Sequence, residues 1–400
     1  MRGAIAAGHR VTAEAGAKVL AGGGNSVDAC IAAAFAAFVT EGPLTGPAGG
    51  GFFLAHVDGR PTLIDCFFAV PTQPMGEIDE LTVDFGSSTQ SYHVGEGSVA
   101  VPGLLAGLTA IHTRFGQLAW AELVAPAIEL ARRGVDVSPA QAFLHEILVT
   151  VLQRDDGGRR IYGNPEHLDT SDLAATLERV RDDPEAAVRG LVPELAEDLD
   201  AYRPIEREPL RSTLDGRDVV TTPPPSRGGA IVASVLAGFS SASSLDARAH
   251  ALRAAYAGYS FGGIAGTTHI SVVDAAGNAA ALSSTLGAGS GIHRGGTQLN
   301  NMLGEFDVIG HEEKIPGERL ASMMTPTLVL EEGRPRLTVG SAGSVRLAGA
   351  IAQVADAVMR GASVDYAIAS PRFHVVGERE LHLEGGWPAS TADELPEGAW

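Results

Sequence analysis

Cysteine, aromatic residues and charge are all scarce in this chain. Its 400 residues include two cysteines, 6% aromatic residues and 19% charged residues. Cys30 and Cys66 both lie in apolar runs, which favours buried free thiols over a disulfide. Neither the cysteines nor the histidines have the spacing of a metal site. We therefore expect no disulfide framework, no metal and no other cofactor.

The chain also lacks a long apolar segment and an excess of positive charge. No stretch has the length and hydrophobicity of a membrane-spanning helix, and the first residues do not resemble a secretory leader. With 29 basic and 48 acidic residues, the formal net charge is −19. This charge argues against nucleic acids and anionic membranes as partners. We expect a soluble acidic protein of the cytoplasm.

Glycine, in contrast, is abundant, at 50 of 400 residues, where ~7% is usual. This excess predicts close backbone packing and many sharp turns. Apolar residues at helical spacing predict helices over residues 12–21, 26–39, 103–116 and 118–134. Strand patterns occur at residues 52–57 and 62–70 and again after residue 266. Because strands come from both ends of the chain, we predict one α/β domain over residues 1–400.

Two threonines, Thr267 and Thr268, follow a glycine-rich run and open a strand. A threonine at a strand start is ordinarily structural, because β-branched side chains suit strands. The position also permits a rarer chemistry, in which cleavage before Thr267 frees an α-amine that acts as base for the threonine's own hydroxyl. Gly266 leaves the bond sterically accessible. The residues alone leave both interpretations open.

Two competing motifs are weaker. Residues 258–262, "GYSFG", fit G-x-S-x-G and would make Ser260 a nucleophile, but a helix precedes it where that motif needs a strand. Residues 95–100, "GEGSVA", loosely fit a dinucleotide fingerprint, but Pro102 follows where a helix should begin. We reject both motifs.

Six stretches together resemble the γ-glutamyltranspeptidase family, in the family's order and along nearly the whole chain. They begin "TAEAGAKVLAGGGNSVDAC", "LTGPAGGGFFL", "VPGLLAGLTAIHTRFG", "PPPSRGG", "TTHISVVDAAGN" and "SPRFH". The resemblance implies the four-layer αββα N-terminal-nucleophile hydrolase fold and a precursor that cleaves itself before a threonine. It places the processing site between Gly266 and Thr267, which gives a large-subunit segment of residues 1–266 and a small-subunit segment of residues 267–400. The chain is short for the family. Only 267 − 226 = 41 positions separate Ser226 from Thr267, where family members usually have a much longer segment.

The resemblance also implies which residues perform the chemistry. Thr267 matches the nucleophile, and Thr285, in "SSTLG", matches the threonine that hydrogen-bonds it. Gly343 and Ser344, in "GSAGSVR", match the two donors of the oxyanion loop. The family usually has glycine at the second donor position, but backbone N–H groups act there, so Ser344 is compatible with the role.

The resemblance also implies the positions that bind the glutamyl group, and most of them are changed here, although Ser322 and the carboxylate of Glu305 are retained. Phe67 stands in place of the arginine for the α-carboxylate, and Met323 replaces one of two assisting serines. The full set of substrate-binding positions is Phe67, Gly287, Met302, Glu305, Ser322 and Met323. A carboxylate buried unpaired among apolar side chains costs several kcal/mol. We therefore predict an acyl group other than an ordinary γ-glutamyl, unless Arg294 or Arg346 reaches the pocket.

These observations predict an N-terminal-threonine hydrolase or acyltransferase that cleaves an amide bond. Its partners would be a small-molecule acyl donor and a water or amine acceptor, with the two fragments of the chain remaining together. One alternative is an unprocessed, inactive homologue that acts as a binding protein. Another is a specialised biosynthetic hydrolase that acts on a bond other than an amide.

Overall fold

A computed structural model of the chain describes residues 3–85, 89–241, 244–257, 266–343, 346–376 and 380–387. Ser260 and Ser344 lie outside these residues. The strands are β1 Ala4–Ala7, β2 Gly50–Val57, β3 Arg60–Cys66, β4 Asp79–Asp84, β5 Thr89–Val94, β6 Val135–Asp136, β7 His167–Leu168, β8 Ile205–Arg207, β9 Leu210–Leu214, β10 Arg217–Thr221, β11 Gly266–Val273, β12 Ala279–Gly287, β13 His293–Arg294, β14 Thr297–Gln298, β15 Thr327–Glu331, β16 Arg334–Val339, β17 Phe373–Val376 and β18 Glu380–Leu383.

The helices surround these strands and make up most of the middle of the chain. They are α1 Arg10–Ala21, α2 Ser26–Thr40, α3 Leu104–Phe115, α4 Trp120–Arg133, α5 Pro139–Ile147, α6 Val149–Leu152, α7 Asp156–Tyr162, α8 Ser171–Asp182, α9 Pro184–Leu191, α10 Ala196–Ala201, α11 Gly228–Ser241, α12 Leu245–Tyr256, α13 Phe306–Ile309, α14 Leu347–Met359 and α15 Val364–Ala369. Short 3-10 turns occur at Glu96–Ser98, Pro193–Leu195 and Met302–Gly304.

Two antiparallel sheets form the centre of the molecule. The larger has six strands in the order β1-β11-β12-β2-β3-β8, and the smaller has four in the order β16-β15-β10-β9. Strands β11 and β12 both contact β16 of the other sheet. The remaining strand pairs among the described residues, β4-β5, β6-β7, β13-β14 and β17-β18, are separate two-stranded sheets.

Alternate residues of the larger sheet enter two different apolar cores, as the period of two along a strand requires. Phe53 and Ile270 join a core with helices α2, α3 and α4. Phe52 and Leu54 join a second core that contains the smaller sheet and helices α11, α12 and α14. The layers are therefore helix, sheet, sheet, helix, which confirms the predicted αββα class.

Helix α2 fixes the large sheet from its outer side. The Asn25 side chain accepts a hydrogen bond from the Asp28 N–H at 2.9 Å, and the Asp28 carboxylate accepts one from the Asn25 N–H at 3.1 Å. This capping box satisfies two N–H groups that would otherwise lack partners. The helix packs on β11 and β12 and ends at Thr40. Its end brings Glu41 beside the start of β11.

Cys30 and Cys66 are buried free thiols, as predicted. Burial raises the pKa of the Cys66 thiol to about 12, which keeps it protonated and unreactive. Among the described residues, no helix combines the length and hydrophobicity needed to cross a bilayer. That same part of the chain contains no cluster of three side chains suited to hold a metal ion.

Candidate active site

The Gly266–Thr267 peptide bond lies at the beginning of β11. Pairing with β12 shifts register between Gly266 and Thr268, an irregularity that commonly re-aims side chains beside active sites. Thr267 is 4% exposed and lines a cavity of about 430 Å³. Since Ile270 faces the outer helices, His269 faces the gap between the sheets.

Thr285 lies opposite the Gly266–Thr267 peptide bond on β12. Its hydroxyl donates a hydrogen bond to the carbonyl oxygen of Gly266 and accepts one from the Gly287 N–H at 2.8 Å. The sequence predicts that Thr285 bonds the nucleophile, whereas in the intact chain it bonds the Gly266 carbonyl, which the predicted self-cleavage would attack. Its role toward a liberated Thr267 stays a prediction. A donor at this carbonyl polarises it and stabilises negative charge on its oxygen.

The cavity beside Thr267 has walls that are mainly apolar. It is bounded by the start of β11, the end of α2, helix α5, the end of β16 and helix α15. Its apolar side chains include Leu44, Leu144, Val339, Val354, Val364 and Ile368. A volume of this size is typical of small-molecule sites.

The predicted oxyanion loop follows β16 and borders the same cavity. Gly340 and Ala342 line the cavity with Thr267. Gly343 has φ +111°, a backbone conformation that favours glycine. It lines a second cavity, of about 420 Å³, that shares Val339, Gly340 and Ala342 with the first. The structure thus brings Thr267, the predicted nucleophile, to one cavity with Gly340 and Ala342, while Gly343 lines the adjoining cavity.

His269 supports the floor of this cleft and was not predicted as a site residue. Its ring nitrogens lie 2.8 Å from the hydroxyls of Ser283 and Ser271. A Cβ at Gly340 would lie 2.1 Å from His269 Nδ1, so only glycine permits the loop to approach this closely. Burial lowers the pKa of His269 to about 3, which makes it neutral at physiological pH. The one signal in the sequence for a role of His269 in the site is that it lies two positions after Thr267.

Glu41 is a second unpredicted residue in the cleft. Its carboxylate is buried and accepts hydrogen bonds from the hydroxyls of Thr12, at 2.8 Å, and Thr268. Thr12 also lies 2.8 Å from the Thr40 hydroxyl. Burial raises the pKa of Glu41, opposed by the Thr268 and Thr12 hydrogen bonds and by the charge of His9. The one signal in the sequence is an acidic residue directly after an apolar helix.

Comparison with known proteins decides the family. The sequence profile of the γ-glutamyltranspeptidase family matches residues 12–259 and 248–398. The chain belongs to the γ-glutamyltranspeptidase family. It is 30% identical to the Acylase ACY 1 proenzyme of Pseudomonas sp. (strain V22), over 98% of this chain and 86% of that protein. It is 29% identical to the glutathione hydrolase proenzyme of Escherichia coli (strain K12), over 98% and 84% of the two chains.

Solved structures agree with the fold. The cephalosporin acylase from Bacillus halodurans superposes with a TM-score of 0.83 at 21% identity, covering 98% of this chain and 87% of that one. A γ-glutamyltranspeptidase from Pseudomonas nitroreducens, complexed with L-DON, gives a TM-score of 0.54 at 28% identity over 64% and 84% of the two chains. Family membership makes this chain an enzyme of the hydrolase and acyltransferase type.

Three of the predicted substrate-binding residues lie in the second apolar core, which contains the smaller sheet. Phe67 stacks on Phe52 with ring centroids 5.4 Å apart. Met302 and Met323 belong to the same core. None of the six predicted substrate-binding residues is among the described residues that line the cavity of Thr267.

The other three positions make local contacts. Gly287 is packed so closely that a Cβ would lie 3.1 Å from the Glu305 carboxylate. Glu305 accepts a hydrogen bond from the Ala288 N–H at 2.9 Å, and burial raises its pKa. The Ser322 hydroxyl accepts one from the Met324 N–H at 3.0 Å. These groups stabilise the neighbouring backbone in the intact chain.

The two arginines proposed as replacements differ in position. Arg294 forms ion pairs with Glu194 at 2.7 Å and with Glu96 at 3.2 Å. Arg346 is exposed and borders the second cavity together with Arg372. Of these two candidates, Arg346 is the one beside the loop that borders the cleft.

Proposed function

We propose that this chain is a self-processing amide hydrolase or acyltransferase and that its substrate carries a largely apolar acyl group. In processing, the Thr267 hydroxyl oxygen attacks the carbonyl carbon of Gly266. The C–N bond breaks, the hydroxyl proton goes to the departing nitrogen, and an ester joins the two segments. Water then hydrolyses this ester. Gly266 ends as a carboxylate, and residues 267–400 begin with a free α-amine.

The liberated threonine performs the second reaction. Its α-amine takes the hydroxyl proton as the oxygen attacks the substrate carbonyl. Backbone N–H groups at Gly343 and Ser344 would hold the oxyanion. The proton passes to the leaving amine, and the acyl group remains on Thr267 as an ester. Water releases it as an acid, or an amine accepts it.

One observation carries this proposal: the Thr285 hydroxyl contacts the Gly266 carbonyl at the point where that bond meets the cleft. A structural threonine at a strand start needs no such donor opposite the preceding carbonyl. The proenzyme names of the relatives support the same sequence of events. The proposed segments are therefore residues 1–266 and 267–400.

The preference for a less polar acyl group is supported by the walls of the cleft. Leu144, Val339 and Val364 lie on the same cavity surface as Thr267. A glutamyl α-carboxylate placed against these side chains would lose its hydration without gaining a partner. The exposed Arg346 is the group that would overturn this preference if it reached the substrate.

Trapping the acyl-enzyme tests the proposal. The purified protein is mixed with an acyl p-nitroanilide, quenched in acid within one turnover and analysed by mass spectrometry. We expect the acyl mass on the small fragment and, after digestion, on the peptide that begins with Thr267. The Thr267→Ala variant is the control. An acyl mass on any other residue, or no acylation of a processed protein by any anilide, would contradict the proposal.

A further inference from the structure

The mouth of the cleft is bordered by apolar side chains that the fold leaves uncovered. On α15, Val364 is 47% exposed and Ile368 is 56% exposed, and both line the cavity that contains Thr267. They are four residues apart and so lie on one face of the helix. A helix ordinarily buries such a pair.

Helix α15 is itself firmly placed. The Ser363 side chain caps it by accepting a hydrogen bond from the Tyr366 N–H at 3.2 Å. Ala367, on its inner side, is 3% exposed. The exposure of Val364 and Ile368 therefore belongs to a helix docked on the fold.

Helix α5 forms another wall of the same cleft. Gln141 donates a hydrogen bond from its side chain to the Thr40 carbonyl at 2.6 Å, and this bond fixes the start of α5 to the end of α2. Leu144, one turn later, lines the cavity with Val364 and Ile368. An apolar path thus runs from Thr267 to the mouth of the cleft.

Two polar residues of the cleft, Glu41 and Gln141, have partners inside the protein, whereas Thr338 Oγ1 and His145 Nε2, which also line the cavity, have no hydrogen-bond partner among the described residues. Glu41 accepts from Thr12 and Thr268. The Gln141 side chain accepts from the Ser138 N–H at 2.9 Å while it donates to Thr40. The exposed apolar side chains of Val364 and Ile368 gain from a ligand that covers them, because covering them removes apolar surface from water.

We infer that the acyl donor carries an elongated apolar acyl group that extends from Thr267 along Leu144 to Val364 and Ile368. This inference rests on the proposed function, since it places the acyl carbonyl at Thr267. It adds a substrate class and three specificity-determining residues. The occupant is the substrate itself, because the exposed pair is continuous with the reaction cavity.

A homologous series of fatty-acyl p-nitroanilides, from acetyl to dodecanoyl, tests the inference. Burial of each methylene should raise kcat/KM about fourfold until the chain passes Ile368, after which the increase should stop. In the double variant Val364→Ser with Ile368→Ser, the ratio of kcat/KM for decanoyl over acetyl donors should fall by roughly tenfold or more.

Tyr366→Ser is the matched control, because Tyr366 lies on the same helix, is 69% exposed and is not among the cavity-lining residues. In Tyr366→Ser, the dependence of kcat/KM on the length of the acyl chain should equal that of the wild type. A flat series, or an equal loss of slope in Tyr366→Ser, would overturn the inference. Processing and acylation by short donors would then still support the proposed function. Failure to process, or no acylation by any donor, would refute the proposed function as well.

Discussion

Replacement of Thr285 by valine tests the geometry of the scissile bond most closely. Valine keeps the branched shape but removes the hydroxyl that donates to the Gly266 carbonyl and accepts from the Gly287 N–H. Loss of one donor at a developing oxyanion slows a reaction by roughly 10- to 1000-fold. We expect a decrease of this size in the rate of self-cleavage and in the kcat of the matured enzyme.

The same substitution has a separate effect on stability. The Gly287 N–H would lose its partner, which costs about 1–3 kcal/mol if the group stays buried. A matched control is Thr45→Val, because Thr45 is buried and its hydroxyl lies 2.8 Å from Ser284 rather than at the scissile bond. It should lower the free energy of unfolding similarly and leave processing fast.

The assay follows cleavage of freshly refolded precursor on denaturing gels, with urea unfolding of each variant measured in parallel. Folding should change little apart from the stated stability cost. Unchanged cleavage and turnover in Thr285→Val would refute the reasoning and leave Thr285 as a strand residue. Equal slowing in Thr45→Val would show that stability, rather than the hydrogen bond to Gly266, controls the rate.

Three further predictions concern specificity and pH. A γ-glutamyl anilide should have a kcat/KM lower by on the order of 100-fold or more than its analogue without the α-carboxylate, because an unpaired carboxylate is rejected; a preference for the full glutamyl group would contradict this. Burial raises the folded-state pKa of Glu41. Protonated Glu41 therefore contributes to the free energy of unfolding at low pH, and this contribution is lost as pH rises through that pKa. Between pH 4.5 and 7, the free energy of unfolding measured in urea should therefore decrease less for Glu41→Gln than for the wild type. Equal decreases would count against the assignment. Burial lowers the pKa of His269 to about 3, so stability should fall by up to about 1.4 kcal/mol per pH unit below pH 6.5; His269→Gln should remove that slope, and an unchanged slope would show that another group titrates.

Local signals were sufficient for the elements that depend on neighbouring residues. The second helix, predicted over residues 26–39, is Ser26–Thr40, and Asn25 caps it. The strand that opens near Thr267 is also found. Caps and apolar periods are local, and sequence therefore records them directly.

Long-range contacts explain what was missed. Glu41 and Thr268 are 227 positions apart, and no local pattern indicates that a helix end will meet a strand start. Phe67 directly follows β3 and stacks on Phe52 in the core, and its role beside the substrate stays a prediction. The cytoplasmic location, the fragment boundary and the oxyanion role of Ser344 stay predictions.

The central claim is that Thr267 is both the processing and the catalytic nucleophile. Its most direct test is N-terminal sequencing of the purified wild type and of Thr267→Ala, alongside their intact masses. The wild type should give two fragments, the smaller beginning Thr-Thr-His, while Thr267→Ala should remain one chain of 41.2 kDa. A different N-terminus in the wild type, or cleavage at the same bond in Thr267→Ala, would contradict the account.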